Sequence, residues 1–175
     1  DARIRELTRV EHRVSRMSFG NTYSPDELRK YAEKTAKLLD GEPIEWVVEL
    51  KIDGVAVSIR YENGLLVQGA TRGNGRVGED VTPNVAGIDV VPERLTDGPA
   101  VIEARGEVYM PLAAFEKLNA AQDETGGRRY ANPRNTAAGS LRQKDSSITA
   151  GRGLAFWSYQ LGEVVGGPEL TTHSA

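Results

Sequence analysis

The chain has 175 residues, of which 39% are hydrophobic and 27% charged, and such a composition is typical of a globular protein that buries a core. It has no cysteine and a net charge of −3, which excludes a disulfide framework or cysteine zinc site in this sequence and argues against a generally basic protein that coats nucleic acid. No apolar run approaches the roughly 20 residues of a membrane span, and the charged N-terminus does not resemble a secretory signal, so we expect a cytoplasmic protein without a membrane partner.

The first part of the chain predicts two helices and then a strand. Residues 2–14 place apolar side chains at helical spacing and predict a short charged helix. Ser24 predicts the start of a second helix because Glu27 completes a capping box, and Gly41 predicts its end. Residues 46–50 then predict a strand.

Alternating apolar and polar residues predict a hairpin next. Its strands cover residues 55–61 and 65–71, and Asn63-Gly64 supplies the tight turn between them. The later predicted elements are two strands and one helix, over residues 100–109, 154–161 and 112–121. Hairpin-linked strands with helices at one side favour an α+β fold with a largely antiparallel sheet and flanking helices.

The chemistry of the chain begins at Lys51-Ile52-Asp53-Gly54, with Glu49 two positions upstream. If the predicted strand continues through these residues, Glu49, Lys51 and Asp53 share one face. A lysine amine held there can attack phosphorus and carry a nucleotide as a phosphoramidate. Because two carboxylates favour the protonated amine, such a site needs divalent metal ions or arginines nearby. The alternative is a solvated strand face.

A glycine-rich segment follows the hairpin. The hairpin should return Arg72 towards Lys51, and residues 73–80 contain glycines whose backbone can approach phosphates. The spacing matches G-x-G-x-x-G, but a dinucleotide-binding motif follows the first strand of a βαβ unit. Here a hairpin precedes the segment and Pro83 follows it, so we reject a Rossmann fold. A flexible surface loop is the alternative.

Basic residues outnumber acids by six to one between residues 126 and 153. Arg134 and Arg142 lie eight positions apart, which on a helix separates them by about 80°, so both can face one anionic ligand or a phosphate backbone. Glu103, Arg105 and Glu107 alternate on a predicted strand and share another face. An ordinary solvated surface is the alternative for each segment.

Taken together, these segments resemble the adenylation domain of bacterial NAD-dependent DNA ligases. The resemblance covers roughly residues 12–162, and the matching strings are residues 49–54, 61–64, 71–81 with Asn84, 105–108, 131–135 and 137–143. The lysine string is shared with ATP-dependent DNA ligases, RNA ligases and capping enzymes. The strings at 72–80 and 132–143 are more specific to the NAD-dependent family.

The resemblance implies a role for each matching residue. Lys51 would be the nucleophile that becomes adenylated, and Asp53 would support the lysine and its metal environment. Ser18 and Phe19 would lie beside the adenosine, and Glu49 would read the adenine amino group. The other implied contacts are Arg72, Glu107 (at the ribose) and Tyr159 with the nucleotide, and Arg134 and Arg142 with phosphates or DNA. No metal ligands follow from the sequence.

The resemblance also implies an ATP-grasp-like nucleotidyltransferase fold. Residues 1–23 would form a helical lead-in with the adenosine-side segment, and residues 24–175 a partial adenylation domain. The implied enzyme forms lysyl-AMP from NAD, releases nicotinamide mononucleotide and seals nicks in double-stranded DNA during replication and repair. Its cofactors would be NAD and Mg²⁺ or Mn²⁺, with zinc only in later domains outside this sequence. We expect a monomer.

The chain departs from the family at three points. Residues 15–19 read Ser-Arg-Met-Ser-Phe where Pro-Met-Leu-Ser-Leu is usual, and Asn74 replaces a usual Asp, which indicates a divergent member. The sequence also stops before the later lysine motifs, so we expect a fragment that does not seal nicks alone. Two alternatives remain: an ATP-using ligase or capping enzyme, and a binding module that kept the fold without the chemistry.

Overall fold

The computed structural model describes residues 7–13 and 20–167. The chain divides into two compact units, one of residues 17–51 and one of residues 1–16 with 52–175. In chain order the elements of the described residues are β1 (Arg9–Glu11), α1 (Pro25–Leu38), β2 (Val55–Glu62), β3 (Leu65–Thr71), β4 (Val77–Glu79), α2 (Thr82–Ala86), β5 (Val101–Tyr109), α3 (Leu112–Thr125), α4 (Pro133–Leu141), α5 (Ser146–Ala150) and β6 (Ala155–Val165).

The unit of residues 17–51 is built around α1, whose predicted start is confirmed. Ser24 Oγ accepts a hydrogen bond from the Glu27 backbone N–H at 3.2 Å, and the Glu27 carboxylate accepts one from the Tyr23 N–H at 2.6 Å. The two acceptors satisfy donors that a helix start leaves without partners. Gly41 ends the helix as predicted, because its N–H donates to the carbonyl of Ala36 in a positive-φ conformation.

Two predictions from the sequence are wrong. Residues 46–50 form no strand, and no regular structure covers residues 42–53; the shared strand face expected for Glu49, Lys51 and Asp53 is therefore absent. Within the predicted helix at 2–14, residues 9–11 instead form β1, which pairs with β4. A strand needs a neighbour for its backbone groups: β1 finds one in β4, whereas none of the described strands pairs with residues 46–50.

The larger unit holds a four-stranded antiparallel sheet in the order β3-β2-β5-β6, with the two-stranded β1–β4 pair beside it. The predicted hairpin is confirmed, since Asn63 and Gly64 both have positive φ, as a tight hairpin turn requires. The other predicted strands and α3 are confirmed as well. The sequence analysis did not predict β4, α2 or α5, and it considered a helix at α4 only as a condition for Arg134 and Arg142.

One face of the sheet carries the core. Val57, Ile59 and Tyr61 alternate along β2 and are at most 4% exposed. Against them lie apolar side chains that follow β4 or β5 or belong to α2, β5 and α4: Val81, Val85, Val108, Met110, Ala137 and Leu141. The opposite face of the sheet is polar, and Arg72 and Glu107 lie at the end of the sheet where β2 begins.

Candidate nucleotide-binding site

A row of residues crosses the end of the sheet. The Arg72 backbone N–H donates to the Ala56 carbonyl at 2.8 Å, Ala56 pairs with Glu107, and Glu107 pairs with Trp157 of β6. Residues opposite each other in antiparallel strands lie side by side. Arg72 and Glu107, from separate strings, thus lie on either side of Ala56, and the exposed indole of Trp157 lies next to Glu107 on β6.

Gly54 explains how the lysine string reaches this row. A side-chain carbon at Gly54 would lie 2.2 Å from the carbonyl oxygen of Val108 and 3.0 Å from Cγ of Glu107. Only glycine lets the backbone pass so close to β5. Asp53, the preceding residue, is therefore held where β2 begins. Lys51 and Glu49 belong to the unit of residues 17–51 and are exposed; that they face this row stays a prediction.

The glycine-rich segment is a tight turn rather than an open surface loop. Gly73 and Gly75 adopt positive φ, and a side-chain carbon at Gly73 would lie 1.9 Å from the Val77 carbonyl oxygen. Oδ1 of Asn74 accepts hydrogen bonds from the N–H groups of Arg76 and Val77, both at 2.9 Å. An amide oxygen thus performs here the same local capping that an aspartate could, so the Asn74 departure leaves the turn intact.

Helix α4 contains Arg134 and ends one residue before Arg142. Asn132 caps its start by accepting from the Asn135 N–H at 2.8 Å. Arg134 Nη1 donates to Asp53 Oδ1 at 3.0 Å, and Arg142 Nη2 donates to Glu79 Oε1 at 2.5 Å. The helix therefore ties both arginines to acids that belong to the lysine string and to the glycine-rich segment.

Asn84 of α2, four residues after the glycine-rich segment, binds the basic stretch through buried hydrogen bonds. Its side chain is buried and donates to the carbonyl of Gln143 and to Oγ1 of Thr149, both at 2.8 Å. Thr149 Oγ1 in turn donates to the carbonyl of Ser140 at 2.8 Å. Buried polar groups of this kind need partners; here the partners hold the C-terminal end of α4 in place.

The structure places the remaining predicted residues with different outcomes. Tyr159 is half-buried in β6 at a register shift, because Gly106 pairs with Ser158 while Arg105 pairs with Gln160. Ser18 and Phe19 lie outside the described residues. Two residues that the sequence analysis did not single out contact the site, namely Glu79 through Arg142 and His12 through the end of β3. For Glu79, its negative charge within the glycine-rich segment was the sequence signal that could have identified it.

Charged side chains on the polar face of the sheet form ion pairs with one another. Arg60 is 7% exposed and donates to Glu62 at 2.8 Å and to Glu163 at 2.7 Å. Burial by itself lowers the pKa of Arg60, but the hydrogen bonds to these carboxylates outweigh burial and raise its pKa above the ordinary value. The same bond from Arg60 lowers the pKa of Glu163. A second buried pair joins Arg105 to Glu103 at 2.8 Å.

The described residues, 7–13 and 20–167, contain no group of three His, Asp or Glu side chains arranged to hold a metal ion. None of their helices is long and apolar enough to cross a membrane.

The described residues form a mixed α/β fold with an antiparallel sheet, and the family that the chain matches is one of nucleotidyltransferase domains. Residues 4–175 match the family described as the NAD-dependent DNA ligase adenylation domain, and the chain belongs to that family. This confirms the resemblance inferred from the sequence.

Curated proteins named DNA ligase are similar to the chain over nearly its whole length. The protein of Desulforamulus reducens is 48% identical over 93% of this chain and 24% of its own length. That of Shouchella clausii is 49% identical over 94% of the chain and 24% of its own length. That of Azotobacter vinelandii is 48% identical over 95% and 22%. The chain thus spans about a quarter of the length of these relatives.

Proposed function

We propose that this chain forms a covalent lysyl-AMP at Lys51 and serves as the adenylating part of an enzyme that seals nicks in double-stranded DNA. Family membership over residues 4–175 carries the proposal, and the lysine string, the glycine-rich segment and the arginines Arg134 and Arg142 are the parts of the sequence that supply the chemistry. We further assign the chain to the ATP-grasp-like nucleotidyltransferase fold, with residues 1–23 as a lead-in.

In the first step the uncharged Lys51 amine attacks the adenylyl phosphorus of NAD. A nitrogen–phosphorus bond forms, the phosphorus–oxygen bond of the pyrophosphate breaks, and nicotinamide mononucleotide leaves. In the later steps AMP passes to a 5′-phosphate at the nick, and the neighbouring 3′-hydroxyl displaces it. The protein contributes positioning of the reacting groups and stabilisation of phosphate charge.

The residues described above suit these tasks. Arg72 and Glu107, which lie on either side of Ala56 in the sheet, would contact the phosphate and the ribose respectively. Glu49 would read the adenine, with Ser18, Phe19 and Tyr159 around the nucleoside. A guanidinium offers paired donors to phosphate oxygens, so Arg134 and Arg142 would exchange their carboxylate partners for phosphates of the ligand or of nicked DNA.

A divalent metal fits the proposed site. Mg²⁺ in nucleotide enzymes is commonly held by one or two carboxylates together with substrate phosphates rather than by a complete protein cage. Asp53 is a carboxylate whose side chain is 74% exposed, so it would hold Mg²⁺ or Mn²⁺ beside a bound nucleotide. When bound, the metal would neutralise phosphate charge as the phosphorus–nitrogen bond forms.

Intact-mass spectrometry tests the lysyl-AMP. The longest natural polypeptide that contains this sequence is incubated with NAD or with ATP, and we expect a gain of one adenylyl group with NAD alone. Lys51→Ala should abolish the gain, whereas Lys30→Ala, on an exposed position of α1, should leave it intact. An adduct from ATP alone would favour the ATP-using alternative, and no adduct from either would favour a non-catalytic module.

Gel assays on a nicked duplex test the sealing step with the same polypeptide. We expect NAD-dependent joining that the Lys51→Ala variant cannot perform. Joining by that variant at the wild-type rate would reject the proposal even if the adduct were found.

A further inference from the structure

His12 lies outside the matching sequence strings and has no role in the proposed chemistry, but it makes a specific contact with the backbone. Its Nε2 lies 3.0 Å from the carbonyl oxygen of Thr71 and 3.1 Å from that of Arg72. Carbonyl oxygens only accept hydrogen bonds, so Nε2 carries the hydrogen and donates it to both. The neutral Nε2–H tautomer and the imidazolium both keep this donor.

The surrounding backbone is shaped for the imidazole. The His12 N–H donates to the Arg76 carbonyl at 2.8 Å, and just before it Val10 pairs with Gly78. A side-chain carbon at Gly78 would lie 1.9 Å from the Thr71 carbonyl oxygen and 3.0 Å from His12 Nε2. Because Gly78 has no side chain, the His12 ring has room to extend from β1 across β4 to the end of β3.

The two carbonyls that His12 binds, those of Thr71 and Arg72, come just before the turn of the glycine-rich segment. Gly73 has a φ of +55°, and glycine has a wider choice of backbone conformations than other residues. The Arg72 carbonyl accepts from the Gly75 N–H at 3.0 Å and from His12. Rotation of the peptide that follows Arg72 would break both bonds, so the imidazole selects one orientation of the backbone that bears the Arg72 side chain.

We propose that His12 is a positioning residue, which holds the backbone at Arg72 so that the guanidinium meets the bound nucleotide. This inference rests on the proposed function for its effect on adenylation. The hold itself, a hydrogen bond bifurcated between two carbonyls, is testable without activity. His12 acts through Arg72 and does not touch the reacting atoms.

A matched pair of substitutions separates the hydrogen bond from the volume of the ring. Gln places its side-chain nitrogen the same number of bonds from Cα as His Nε2, so His12→Gln keeps the donor, whereas His12→Leu removes it. In the longest natural polypeptide, at saturating NAD, we expect His12→Leu to slow lysyl-AMP formation by about tenfold or more. His12→Gln should recover most of that rate.

The Arg72→Ala background tests whether His12 acts through Arg72. There, His12→Leu should slow adenylation by less than about twofold, because two residues that act as a unit are not additive. An equal loss in both backgrounds would overturn the proposal, since it would show a general structural role. Equal rates for His12→Gln and His12→Leu would overturn it too.

Hydrogen exchange of the wild type and both variants measures the hold independently. We expect His12→Leu to speed exchange of the Gly75 N–H, which is bonded to the Arg72 carbonyl, while His12→Gln leaves it protected. Unchanged exchange in His12→Leu would reject the hold. Absence of any adduct in the wild type would reject the proposed function, and the exchange experiment would still decide the contact.

Discussion

Arg134 Nη1 donates to Asp53 Oδ1 at 3.0 Å, across a separation of 81 residues in the chain. The pair joins α4 to the lysine string. Its side chains are 60% and 74% exposed, and ion pairs this exposed contribute about 0–1 kcal/mol to folding stability. The pair therefore does little for the fold. In our proposal the pair matters because the Arg134 guanidinium can exchange the Asp53 carboxylate for a phosphate.

Substitution of Arg134 should affect activity without affecting stability. We expect Arg134→Ala to slow nick sealing by at least about tenfold, because a charged contact to a transferring phosphate is worth several kcal/mol, with little change in thermal midpoint. Arg129→Ala is the matched control, since Arg129 forms a similarly exposed pair with Asp123 at 2.7 Å. Equal sealing by the two variants, measured with nicked duplex in a gel assay, would contradict the assignment.

Arg142 should contribute one phosphate contact to DNA binding. Each neutralised phosphate of duplex DNA adds about 0.9 to the slope of log affinity against log salt concentration. We therefore expect Arg142→Gln to reduce that slope by about 0.9, measured by fluorescence anisotropy on a nicked duplex over a series of salt concentrations. Arg29→Gln, which removes an exposed arginine of α1 paired with Asp26, is the comparison. Parallel lines for Arg142→Gln and wild type would argue against the contact.

Leu141 anchors the helix that contains Arg134 and ends one residue before Arg142. It is fully buried, and replacing such a leucine by alanine removes packing and leaves a cavity. We expect Leu141→Ala to lower the free energy of unfolding by about 2–5 kcal/mol in a denaturant titration. Leu112→Ala, at a position 70% exposed at the start of α3, should cost far less. Similar losses for the two variants would mean that α4 is not packed as described.

Acid should weaken the fold partly through Glu163. Its pKa is lowered from the ordinary 4.5, chiefly because Arg60 donates a hydrogen bond to it. A group with a lowered folded-state pKa contributes stability that is complete above its unfolded-state pKa and is lost as the pH falls through the folded-state pKa. The contribution is therefore present above about pH 4.5 and disappears below it.

The Glu163→Gln variant isolates this contribution. We expect its unfolding midpoint to fall less steeply than that of the wild type between neutral pH and the acid range below 4.5, measured by circular dichroism. Glu116→Gln, an exposed position on α3, should follow the wild-type curve. If Glu163→Gln also follows that curve, the Arg60 contact does not contribute to acid sensitivity.

Local chemistry explains which elements were predictable. The Asn63-Gly64 turn, the Ser24 cap and the alternating strands are patterns of neighbouring residues, and each formed where expected. A turn or a helix cap satisfies its own backbone with groups a few positions away. The strings that identify the family are local in the same sense, because they are read position by position.

Distant partners explain what was missed. β1 is a strand because β4 lies opposite it, and residues 46–50 remain irregular although their side chains favour a strand. The acids that meet Arg134 and Arg142, and the carbonyls that meet His12, come from segments far along the chain. A pattern of neighbours shows that a side chain can donate a hydrogen bond. Only the packing of the sheet and helices selects the acceptor, because it alone brings remote backbone within reach.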